Sequence, residues 1–191
     1  ERAIRAEGFA NYAITPPTER EQYSSILYIE PFAGRNLKAF GYDMLAEPVR
    51  GQAMARARDS GEPALSGRVT LVQEDDRNVQ PGFLIYVPVY RKGMPTSSVE
   101  QRRAALHGFA FSPFRAHDLL HSLITADNKD VELELFDTIA TPENLLFDSH
   151  PEHDRVRGQH RVELPIDFGG ERWIARFQSR PEFDRITASQ L

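Results

Sequence analysis

The chain has 191 residues, a net charge of −5, 40% hydrophobic and 27% charged content, ordinary globular values that argue against wholesale disorder. The acidic balance, without a basic stripe, argues against nucleic acid or an anionic membrane surface as partner. The absence of cysteine removes disulfides, thiolate zinc sites and thiol nucleophiles.

No apolar run approaches the roughly 18 residues of a membrane span, and no signal-peptide pattern is present. Both ends, E-R-A-I-R and I-T-A-S-Q-L, are polar and helix-compatible. We therefore expect a soluble segment cut from between flanks such as membrane spans, with enough chain for two lobes.

In chain order, Glu1 to Tyr12 predicts a helix broken by Thr15-Pro16-Pro17-Thr18. Thr18 predicts the cap of a short helix through Ser25, with Glu21 as its reciprocal partner. Leu37 to Met44 reads as a strand, with Phe40 and Tyr42 on one face and Ala39, Gly41 and Asp43 on the other. Pro48 opens a helix that Gly61 closes; Val49, Ala53 and Ala57 form its packed face, and Arg56 and Asp59 its wet one.

Arg68 to Gln73 is expected as a strand, followed by a charged loop at 74–78. Gly82 to Tyr90 is almost entirely apolar and predicts a strand buried on both faces, with Pro88 near an edge or bulge. Ser98 caps a helix from Val99 to His107, and Gly108 to Ser112 forms a strand. Phe114 to Thr125 is an amphipathic helix burying Leu119, Leu120, Leu123 and Ile124.

The polar stretch 126–130 predicts a lobe boundary. Beyond it, strands point Val131, Leu133 and Leu135 inward, then Leu145 to Phe147, then Val162, Leu164 and Ile166. Gly169-Gly170 turns the chain into a last strand with Trp173, Ala175 and Phe177 on one face.

Asp43 has two readings. It accepts hydrogen bonds from a ligand, because an unpaired buried carboxylate is too costly, or it binds backbone amides of the following turn. Gly41 beside it leaves room for a pocket, and Tyr86, Phe109 and Phe111 could line the same cavity or simply pack the core. His117 and His121, at i and i+4, and the pair His150 and His153 have metal-ligand spacing. H-D-L-L-H lacks the metalloprotease glutamate, however, and a solvent-facing helix edge accounts for the first pair. Phosphate-binding glycine loops and G-x-S-x-G are absent, and no catalytic constellation stands out.

The residues Glu30-Pro31, Asn36, Gly41-Tyr42-Asp43, Pro48, Arg50, Ala57, Gly61, Leu71, Gln73-Glu74, Gly82-Phe83-Leu84 and Pro88-Val89-Tyr90 together resemble the CHASE domain. This family is the extracytoplasmic sensory module of membrane-bound histidine kinases, nucleotide cyclases and diguanylate cyclases. The resemblance implies an α+β fold of two tandem PAS-like lobes with antiparallel sheets, preceded by a long N-terminal helix that is truncated here. The divisions are residues 1–25, a membrane-distal ligand lobe at 26–126, and a membrane-proximal lobe at 127–191 leading to a transmembrane helix.

In plant cytokinin receptors of this family an aspartate binds the adenine ring, and Asp43 matches its setting. Leu65 matches a leucine over the ring; Tyr86 stands where those receptors have threonine, and Phe111-Ser112 replaces their Gly-Gly pair. The resemblance therefore implies a periplasmic part of an inner-membrane protein, homodimeric in the full receptor. It would sense an adenine-like or other small planar or polar molecule, without catalysis, metal or cofactor. The rival readings are a ligand-free interaction or dimerisation module and, third, a His-based metal hydrolase.

Overall fold

The computed structural model describes residues 1–75, 78–123, 130–151, 158–181 and 183–184. Helix α1 (Arg2–Ala6) is shorter than expected, because Gly8 takes a φ of 108° and turns the chain. The expected helix at 19–25 is irregular instead: the Ser24 N–H goes to Asp43 Oδ1 and the Arg20 N–H to the Tyr23 hydroxyl.

The expected strand Leu37–Met44 is likewise absent. Two 3-10 turns, Gly34–Ala39 and Met44–Ala46, flank Gly41, whose φ of 85° breaks any extended run. Phe40 joins an aromatic cluster with Phe9, Tyr12 and Phe32 at centroid distances of 5.0, 5.0 and 5.1 Å. Single bridges Thr15–Tyr42 and Ser25–Asp43 tie this segment to the irregular chain before it.

Helix α2 (Pro48–Ser60) follows its sequence signals. Glu47 accepts from the Val49 and Arg50 amides, Pro48 occupies the first turn, and Gly61 closes the helix in the left-handed region. Ala53, Met54 and Ala57 are buried, and so is Arg50. Arg56, expected to face water, instead reaches the Leu65 carbonyl at 2.7 Å and the Glu171 carboxylate.

The first sheet contains β1 (Ala64–Leu65), β2 (Val69–Thr70, far shorter than expected), β3 (Pro81–Tyr90) and, after α3 (Val99–Ala105), β4 (Leu106–Arg115). Ser98 and Gln101 form a reciprocal capping box at α3. β1 and β2 line one edge of β3, and β4 pairs along the other, all antiparallel. Phe83, Leu84 and Tyr86 are buried as expected. Val87 and Val89, past the end of the β1 pairing, are 40% and 41% exposed.

Helix α4 (Ala116–Leu123) buries Ala116 and Leu120, while Leu123 is exposed rather than inward. Ile124 and most of the expected boundary, 126–129, lie outside the described residues. Strands β5 (Val131–Asp137), β6 (Leu145–Asp148), β7 (Arg161–Phe168) and β8 (Glu171–Ser179) form a second antiparallel sheet in the order β6-β5-β8-β7. The fold is thus α+β, with one antiparallel sheet on each side of 124–129.

Val162, Leu164 and Ile166 are not inward. They are 48%, 50% and 42% exposed, because β7 is an edge strand and the described residues leave its apolar row uncovered. Trp173 and Ala175, opposite Ile166 and Leu164, are buried as expected.

Two cores result. On one face of β3, Leu84 and Tyr86 pack with Met44, Met54 and Ala57. On the other, Phe83 packs with Leu65, Leu120, Leu135 and Trp173, Phe83 meeting Trp173 edge-on at 5.1 Å. The alternation of side chains along β3 thus serves both cores. Backbone bonds reinforce the junction: the Leu65 N–H donates to the Gly169 carbonyl at 2.8 Å and the Arg68 N–H to Asp137 Oδ2 at 2.7 Å.

Candidate functional site

The irregular segment 23–28, anchored in the first core by Ile26, borders a cleft of about 390 Å³, within the range of roughly 300–1,000 Å³ that small-molecule sites occupy. Met44, Met54 and Tyr86 form its inner wall, Phe109 and Phe111 its side, and Ser24, Ser25 and His107 supply polar groups around it. Tyr86 is fully buried and meets Phe109 and Phe111 at centroid distances of 6.3 Å each. Aromatic walls with a few polar handles suit a small organic ligand.

Asp43 does not line this cleft. Its carboxylate is fully buried and accepts from the Ser24 and Leu45 amides at 2.7 and 3.2 Å and from Arg20 Nη1 at 2.8 Å. Its own N–H donates to the Thr15 carbonyl at 2.7 Å. The residue therefore clamps the segment that carries Ser24 to the turn that carries Met44, both cleft-lining residues. It positions the wall.

Gly41 and Leu65 also stand away from the cleft. A side chain at Gly41 would collide with the Ala13 carbonyl, and Leu65 belongs to the second core. Of the sequence-derived candidates, the structure brings together Tyr86, Phe109 and Phe111 and leaves Asp43, Gly41 and Leu65 outside. Tyr23, Ser24 and Ser25 were missed because an irregular wall has no periodicity to read, and His107 because it was expected to end a helix but lies in β4.

Behind the inner wall lies Arg50, buried and stacked 5.3 Å from the Tyr42 ring. It donates to the Thr70 carbonyl at 2.8 Å and to the Met44 sulfur at 3.5 Å. Its Nε is buried without a hydrogen-bond partner; the nearest carboxylate oxygen, on Glu47, is 3.7 Å away and already accepts the Arg50 amide. The Tyr86 hydroxyl also meets the Met44 sulfur at 3.5 Å. Burial pushes the Tyr86 phenol well above its ordinary range, opposed by the neighbouring Arg50 charge.

The histidines do not converge. His117 and His121 stack at 5.4 Å, with His117 against Phe147 at 5.6 Å. His150 Nδ1 lies 2.9 Å from the Ser149 hydroxyl, and His153 is outside the described residues. Among the described residues, no group of three or more His, Asp or Glu side chains is placed to hold a metal.

The family model for the CHASE domain matches residues 1–147. The chain belongs to the CHASE domain family. CHASE domains are extracellular sensory domains of membrane receptors, and the cleft of this CHASE chain falls within the matched residues. No curated protein matches the chain. Among the described residues, no helix of this CHASE chain is long and apolar enough to cross a membrane.

Proposed function

We propose that this CHASE domain senses a small molecule in the cleft between segment 23–28 and the first sheet. Residues 26–126 serve as a membrane-distal, PAS-like ligand lobe, and residues 127–191 as a membrane-proximal one leading to a transmembrane helix. Residues 1–25 belong to the N-terminal helical segment. Binding changes the relation between the two lobes in a homodimeric receptor, and flanking membrane helices pass the change to a kinase or cyclase output.

The observation that carries this reading is a cleft of about 390 Å³ with Tyr86, Phe109 and Phe111 along its wall. The apolar row of β7 favours a second reading, a dimerisation module without ligand. A thermal-shift screen of purines, amino acids and small organic acids on the parent and Gly108→Phe separates the two. Gly108 lines the cleft, and a Cβ there meets no atom within 4 Å, so phenylalanine adds bulk at the cleft rim without backbone strain. Ligand-induced stabilisation of the parent that vanishes in the variant supports sensing. Equal shifts in both proteins contradict it.

A further inference from the structure

Resting on the sensing reading, we propose that the cleft takes a small carboxylate with an apolar or aromatic body, its acid group seated where the Met44 sulfur now lies. The Met44 thioether, part of the cleft wall, meets two buried donors, Arg50 Nη1 and the Tyr86 hydroxyl, at 3.5 Å from each. A thioether is a weak acceptor for either. A carboxylate oxygen in that position accepts from both, and its second oxygen stays on the cleft side.

Arg50 has a cation's need for such a group. It is 2% exposed, and its carboxylate neighbour, Glu47, stands 3.7 Å from Nε without a hydrogen bond, although a buried charge is expensive unless closely paired. A guanidinium N–H to a carboxylate is a charge-assisted hydrogen bond, stronger than one to a thioether. Met44 has an unbranched, adaptable side chain and can rotate out of the way. Met54, Phe109 and Phe111 then enclose the remainder of the ligand, which selects an acid with a compact apolar body over acetate.

The chain's three methionines provide the test. With methyl-labelled methionine in the full 191-residue chain, Met44 and Met54 report on the cleft and Met94, which does not line it, is the control. Phenylacetate and indole-3-acetate are titrated against their neutral amides, phenylacetamide and indole-3-acetamide. The acids should shift Met44 and Met54 but not Met94, with the amides at least about tenfold weaker, the difference expected of a charge-assisted hydrogen bond.

Arg50→Gln should abolish that preference. Because this substitution could harm folding, Met44→Ala is measured beside it and should retain or strengthen acid binding. Acids and amides binding equally would overturn the carboxylate assignment while leaving a sensing cleft. Silence of Met44 and Met54 with every probe would overturn both.

Discussion

Among the described residues, two arginines are buried over aromatic rings, and their surroundings differ. Arg176, in the second sheet, stacks 4.4 Å from Phe136 and donates to Glu163, Glu134 and the Ala140 carbonyl at 2.9, 3.0 and 3.1 Å. Arg50, behind the cleft, stacks on Tyr42 but meets one carbonyl and a sulfur, with its Nε unpartnered. The second sheet thus shows how this chain completes a guanidinium that has only a structural task. The cleft region leaves one incomplete behind the Met44 wall, which is where a ligand group would be worth most.

The largest effect should come from the clamp that shapes the cleft. Asp43→Ala removes the acceptor for Arg20, Ser24 and Leu45 and should cost about 4 kcal/mol in urea unfolding, as breaking a buried ion pair does. A loss below about 1 kcal/mol would mean that the clamp does not hold the wall.

The two arginines should then separate. Arg176→Met strands Glu134, largely buried, and should cost about 3 kcal/mol, whereas Arg50→Met takes from Glu47 only a neighbour at 3.7 Å, leaving it partly exposed and bonded to two amides, and should change stability by less than about 1 kcal/mol. Equal losses in parallel denaturation curves would erase the contrast.

Gly41→Val should cost about 2 kcal/mol through its positive φ and the Ala13 carbonyl. Ligand affinity of the fraction that remains folded should be unchanged, as Gly41 stands off the cleft.

The smallest effect concerns Asp59, at the end of α2. Arg103 and then Arg58 hold its carboxyl below the usual carboxylate range. A lowered folded-state value adds stability that is complete above the unfolded value and is lost as pH falls through the folded one. Asp59→Asn should therefore cost about 0.5 kcal/mol at neutral pH, given how exposed the pair is. Its melting curve should approach the parent's as pH falls below about 4. A gap that widens in acid would reverse the assignment.

What could be read from the residues was local. Pro48 and Gly61 bound α2, Ser98 with Gln101 starts α3, and Gly169-Gly170 turns β7 into β8, because each signal acts within a few residues. Alternation misled at 37–44, where Phe40 serves an aromatic cluster rather than a strand face. It misled again at β7, because a period of two says which side chains share a face but not whether anything covers it. Tyr86, Phe109 and Phe111 could be placed near a cavity by their strands. Arg50 was named only for the family resemblance, and its burial could not be read, since a helical arginine usually faces water and only tertiary packing buries this one.

The most direct test is a crystal structure of the chain grown with phenylacetate. It should show the ring against Phe109 and Phe111, the carboxylate about 2.8 Å from Arg50 nitrogen atoms, and the Met44 side chain rotated from its place between Arg50 and Tyr86. A saturated crystal with Met44 still in that place and the cleft empty would contradict the account.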